Sequence, residues 1–397
     1  MSINHETGAR GRRWPRVLLS AVAVVLLIEA VLALTSESYM DATPLMYREK
    51  MRWAEQPQSA DVFVFGDSSA VAAVRPSQLE AFLPEGTEVL NLGMTAVGPT
   101  GAEILMRRYL EKHEPPELAV LSFSPRSLAD EPPEFFVSYP LTHLLAAGDL
   151  LRVVERSSRP SYLLGWGMSR LPSFRYREDL LTGFASLVLD RFPRLQPVVL
   201  ESLGWGAHMS RRDRFAWRYS RRAERNRDFI ESLQREGGWH YFREYALAGE
   251  RLPAGLPLYS PPFEGAPREA AALSSLVELC REHGVGVLVV GSARPLMRTR
   301  ALWKDGGEER FDEFWAHLFR EHPEVIHTER QALSWPHRLF SDGAHMNPEG
   351  AVRYGRHIGP IITETLVRLR DGRDAAPQAL RAPARSVGSD EPVRHGS

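Results

Sequence analysis

The chain has 397 residues, 43% hydrophobic and 25% charged, with 49 basic against 50 acidic side chains and a net charge of −1. That length suits one large α/β domain with an insertion, or two to three smaller domains, and the composition excludes a chain disordered over most of its length. Balanced charge excludes a global field that would draw nucleic acid, and a single cysteine, Cys280, excludes an internal disulfide and any multi-cysteine zinc site.

The first predicted element is apolar. Residues 17–34 read VLLSAVAVVLLIEAVLAL, and Glu29 is their one ionisable group. The length meets that of a membrane span. Twelve of the 18 are Leu, Ile or Val; together they supply about −4 to −7 kcal/mol of insertion energy against about +3 for a central acid. Arg10, Arg12, Arg13 and Arg16 precede the run, and the SESYMDATP flank after it holds two acids and no base. The positive-inside rule then leaves residues 1–16 in the cytoplasm, makes 17–35 the anchor and exports the rest. The alternatives are a buried helix and a cleaved signal peptide, although the apolar run is long for the latter and no clear A-x-A site follows. Residues 36–60 read as a tether.

From residue 61 strand and helix signals alternate. Predicted strands are 61–65, 87–92, 117–123, 285–291 and 324–328, and predicted helices are 76–83, 100–113, 268–284, 312–322 and 347–369, the last with Asn347 as N-cap. Such alternation implies an α/β domain over 61–370 with a parallel sheet and helices on both faces. Ligands of such sheets sit beyond the carboxyl ends of the strands. The stretch from about 130 to 265 breaks the rhythm and reads as a helical insertion; 371–397, poor in large apolar groups, reads as a disordered tail.

Three predicted strand ends carry chemistry. Gly66-Asp67-Ser68-Ser69 follows the first strand, where a serine at a strand-to-helix turn exposes its hydroxyl. Asn91-Leu92-Gly93 follows the second, where a glycine leaves a backbone N–H open toward a ligand. Ser341-Asp342-Gly343-Ala344-His345 precedes the last helix. Its D-x-x-H spacing lets a carboxylate hold an imidazole while the other ring nitrogen takes a proton from a serine. Arg294, after the fourth strand, either lines the same edge or is structural. Ser69 is the alternative nucleophile, and Asp67 suits a turn-holding role.

Taken together, FGDSS (65–69), NLG (91–93) and DGAHMNPEGA (342–351) resemble the SGNH, or GDSL-like, hydrolase superfamily over about 61–128 and 285–369. The resemblance implies a flavodoxin-like parallel sheet, with Ser68 as nucleophile, His345 as general base and Asp342 as its orienter. It also implies an oxyanion hole from the backbone N–H groups of Ser68 and Gly93. The third donor of the family is an Asn, and Arg126 stands at that position here, either donating to the oxyanion hole or an anionic group, or pointing away and leaving a two-donor hole. An N-terminal anchor with an exported domain looks like the envelope acyl-transfer branch of the superfamily, which works beside a multi-pass membrane acyltransferase.

The expectation is therefore a membrane-anchored serine esterase or O-acyltransferase in the periplasm or at the cell surface. Its substrate would be an acyl ester of an envelope polysaccharide or lipid, with no cofactor. The alternative is a catalytically weak binding or assembly protein of the envelope machinery. Residues 211–227, RRDRFAWRYSRRAERNR, are either a face for anionic polymer or head groups or a solvated helix with its aromatics packed inward. Cys280 reads as a core thiol. The 13 histidines show no metal-ligand spacing, and neither a metal nor nucleic acid is expected.

Overall fold

The strand runs of the sequence are apolar on both faces, which suits a parallel sheet covered from two sides. The computed structural model describes residues 13–35, 42–56, 59–129, 144–157, 161–175, 222–242, 263–296 and 303–372. Two units divide the chain: residues 1–41 with 167–226, and residues 42–166 with 227–397.

In chain order the elements begin with α1 (Arg13–Leu34), α2 (Ala42–Glu55), β1 (Val62–Gly66), α3 (Ser68–Ala73), α4 (Pro76–Glu80) and β2 (Val89–Asn91). There follow α5 (Pro99–Leu110), β3 (Leu118–Ser122), α6 (Pro125–Leu128), α7 (Ala147–Ser157), α8 (Ser161–Met168), α9 (Pro172–Arg175) and α10 (Arg222–Arg235). The last are α11 (Pro267–Glu282), β4 (Gly286–Val289), β5 (Ser292–Pro295), α12 (Gly307–Glu321), β6 (Ile326–His327), β7 (Ala332–Trp335) and α13 (Pro348–Arg370).

In the second unit the five-stranded sheet has the order β2-β1-β3-β4-β6, parallel throughout. Side chains alternate across it. Phe63, Phe65, Ala119, Leu121, Val287 and Val289 face a core shared with α2, α5, α11 and α12. Val62, Val64, Leu118, Val120 and Leu288 face a second core, with Leu79 of α4 and Tyr354, Ile358, Ile361 and Ile362 of α13. Helices thus cover both faces, as the alternation of elements requires. The chain leaves β1 for β2 on one side and for β3 on the other. In open parallel sheets such a topological switch point, here at the carboxyl ends of β1 and β3, is where ligands bind.

Three expectations change. Residues 42–55 are not tether: they form α2, and Leu45, Met46, Tyr47, Trp53 and even Lys50 are buried. Beyond the end of β4, β5 pairs with β7 in a separate two-stranded parallel sheet that the polar, proline-containing SARP did not announce. The fifth strand shrinks to Ile326–His327. Within the expected insertion, the described residues include four helices, α7 to α10. The expected tail from 373 on, residues 1–12 and the Arg-rich residues 211–221 lie outside the described residues.

In the first unit, Val17–Leu34 of α1 is long and apolar enough to cross a membrane. That property is one of length and composition.

Candidate active site

The turn after β1 is built around a carboxylate. Asp67 is the N-cap of α3: its Oδ1 accepts from Ser69 N at 2.8 Å, which satisfies one of the first-turn N–H groups that no helical carbonyl reaches. Its Oδ2 accepts from Ser124 N at 3.3 Å and from the Ser124 hydroxyl. One buried side chain therefore ties the β1–α3 turn to the β3–α6 turn across the switch point. Ser68 opens α3 as its first residue and is half-buried, while Ser69 is buried behind it. Glycine is needed just upstream. A Cβ on Gly66 would lie 2.2 Å from Ser122 O and 2.5 Å from Ala70 Cβ.

The second turn differs from expectation. The Gly93 N–H, expected to stand open, donates to Asn91 Oδ1 at 2.9 Å. Asn91 is fully buried, and its Nδ2 donates to Ala70 O at 3.0 Å and Val74 O at 2.7 Å. Its side chain thus fastens the end of β2 to α3 and occupies the expected oxyanion donor as well. Met94 N donates to Gly66 O at 2.9 Å. From the other side, Lys50 Nζ donates to Gly93 O and, at 3.0 Å, to Gly238 O, and the Tyr47 hydroxyl donates to Thr95 O. Burial holds the Lys50 ammonium well below its usual pKa of 10.5.

The third piece is closed by its own hydrogen bonds. Asp342 Oδ1 accepts from Ala344 N at 2.6 Å and His345 N at 2.8 Å, and Oδ2 pairs with His345 Nδ1 at 2.7 Å. Burial pushes the Asp342 carboxyl up. The hydrogen bond and charge of His345 and the two backbone donors outweigh it, so the group sits below the usual 3.8. With Nδ1–H held by the carboxylate, the neutral ring presents Nε2 as its lone pair.

Position in the fold follows from two contacts. Tyr354, two turns into α13, donates its hydroxyl to Gly291 O at 2.6 Å and meets Ser122 Oγ at 3.3 Å. The start of α13, and with it His345, is therefore anchored beside the carboxyl ends of β3 and β4. The Phe242 ring lies against His345, centroids 4.3 Å apart. Its neighbours His240 and Trp239 bond to α3: His240 N donates to Val71 O at 3.4 Å and Trp239 Nε1 to Ala72 O at 2.8 Å. One segment thus touches both the helix that Ser68 opens and the ring of His345. Nothing in the sequence marked Phe242, which falls in the stretch read as an insertion, or Lys50, which falls in the expected tether.

The remaining expected residues are spread out. Arg126, in α6, is exposed. Arg294 is buried in β5, paired in register with Ser334. Cys280 is a fully buried core thiol, pushed up to about 12 by desolvation. No family model and no curated protein matches this chain.

Proposed function

We propose that this protein is a membrane-anchored, extracytoplasmic serine esterase or O-acyltransferase of SGNH type, acting on an acyl ester of an envelope polysaccharide or lipid. The observation that carries the reading is the Asp342–His345 pair, 2.7 Å apart, on the same sheet edge as the Asp67-capped turn that presents Ser68. In this reading Ser68 Oγ attacks the acyl carbonyl as His345 Nε2 takes its proton. The tetrahedral intermediate collapses to an acyl-serine as His345 returns that proton to the leaving alkoxide. Water or a sugar hydroxyl then attacks the acyl-serine by the same proton relay. Water yields a hydrolase, and a sugar hydroxyl yields a transferase. The Ser68 N–H, at the first position of α3, has no intrahelical acceptor and serves as an oxyanion donor. A multi-pass membrane acyltransferase is the partner that would supply acyl groups.

A fluorophosphonate probe tests the assignment. It should label the wild-type chain and fail on Ser68→Ala and His345→Ala variants of unchanged fold. Equal labelling of Ser68→Ala would end it.

The second reading, a binding or assembly protein of the envelope machinery, is favoured by two observations: the Gly93 N–H is taken up by Asn91, and Arg126 is exposed. Full complementation of a deletion strain by folded Ser68→Ala and His345→Ala chains would select it.

A further inference from the structure

An acid inside an apolar span needs a reason. Near the centre of a bilayer it costs about 3 kcal/mol, and such groups pair with polar partners. Glu29 has its partner within its own unit: Ser173 donates its backbone N–H to Glu29 Oε2 at 2.8 Å and its hydroxyl to Oε1. Among the described residues 17–35, Glu29 and Leu32 alone are half-buried. They sit about one turn apart on the face against which α9 packs.

The depth of that contact follows from helix geometry. At 1.5 Å per residue, Glu29 lies roughly 7–8 Å inside Leu34 and roughly 18 Å from Val17. A hydrocarbon core is about 30 Å thick. A residue bonded to Glu29 is then below the membrane surface on the Leu34 side. The chain around Ser173 suits that position. Residues 167–174 read GMSRLPSF, with Arg170 as their one charge. Met168 is 40% and Leu171 42% exposed. In water such a run is an aggregation hazard; a contiguous exposed apolar patch marks a partner or a membrane.

We propose that residues 167–175 are a second membrane-contacting element, fastened to the anchor by the Glu29–Ser173 hydrogen bonds, with Met168 and Leu171 in the acyl-chain region of the leaflet on the Leu34 side. The occupant of this apolar surface is lipid. The inference rests on reading α1 as a span, and the experiment separates the two. A polarity-sensitive fluorophore is attached to Leu171→Cys in the full-length chain in phosphatidylcholine vesicles; Cys280 is buried and stays unlabelled. Leu27→Cys on α1 and Glu313→Cys on α12 are the lipid and water controls. Spin-labelled phosphatidylcholine should quench the Leu171 label about as strongly as the Leu27 label, and several-fold more than the Glu313 label. Quenching at Leu27 with Leu171 matching Glu313 overturns the inference and leaves the span standing. No quenching at Leu27 overturns the span, and the inference with it.

Discussion

The two oxygens of Asp342 have separate tasks, and Asp342→Asn divides them. Oδ1 holds the backbone N–H groups of Ala344 and His345, while Oδ2 holds His345 Nδ1. An asparagine keeps its Oδ1 on both backbone donors, so the 342–345 turn survives. Its NH2 then faces Nδ1, which must accept, and the ring proton moves to Nε2. A ring protonated there cannot take the proton of Ser68. A wrong tautomer in an otherwise intact triad costs ~10⁴ in kcat, or about 5.4 kcal/mol at 1.36 kcal/mol per decade. The folding cost is smaller, because one charge-assisted hydrogen bond gives way to a neutral one, about 1–2 kcal/mol. The melting temperature should fall by only a few degrees. The assay is kcat on an activated aryl ester, or the second-order rate of fluorophosphonate labelling, beside a thermal melt. A folded Asp342→Asn chain that keeps wild-type kcat, or loses only a few-fold, refutes the tautomer role.

Other consequences follow from the same contacts. The Asp342 carboxyl is lower in the folded chain than its usual 3.8, so the stability it contributes is present above the unfolded pKa and is lost as pH falls through the folded value; Asp342→Asn should flatten that acid limb in urea titrations. Lys50 is lowered by burial, so between its folded value and about pH 10.4 the unfolded chain binds more protons and stability rises with pH. Lys50→Met should remove that rise, and an unchanged alkaline slope would show that Lys50 is not the group responsible. Gly66→Ala puts a methyl 2.2 Å from Ser122 O and should cost about 3 kcal/mol or more, read as a lower urea midpoint. Phe242→Ala removes the ring against His345; it should cost about 3–5 kcal/mol and lower kcat per folded molecule, and a full kcat would exclude Phe242 from holding the base.

Elements with a strong apolar period were legible. DVFVF, ELAVLSF and VGVLVV became β1, β3 and β4, and the helix begun by Asn347-Pro348 starts where its cap predicts, with Asn347 Oδ1 accepting from Gly350 N at 2.9 Å. The Asp-x-x-His pair was legible too, because its geometry is local. What escaped depended on distant partners. The ATPLMYREKMRWAE of α2 reads as tether, yet Lys50 is buried, with Gly93 O and Gly238 O, 43 and 188 residues away, accepting its hydrogen bonds. Gly93 was expected to offer its N–H. That reading failed because a neighbouring side chain, Asn91, turns back on it, and no spacing rule encodes which way an amide points.

That amide sets the catalytic power the proposed site can have. An oxyanion donor is worth about 3–4 kcal/mol in the transition state. Releasing the Gly93 N–H breaks one neutral hydrogen bond, about 1 kcal/mol. If Asn91 must rotate to do so, its Nδ2 also leaves Ala70 O and Val74 O, two buried bonds at about 1 kcal/mol each and more if the carbonyls stay unpaired. The two sides nearly cancel. In the proposed mechanism the hole then has the Ser68 N–H as its committed donor, at a cost of about 10²–10³ in rate per missing donor. A site with that handicap acts on activated esters, or on an acyl group delivered by a partner and an acceptor already held in place, before it acts on stable esters in water. Proximity can return what the hole lacks, since a bound acceptor is worth up to about 7–11 kcal/mol over one from solution. Within the proposed function, these magnitudes favour transfer to a bound hydroxyl over free hydrolysis.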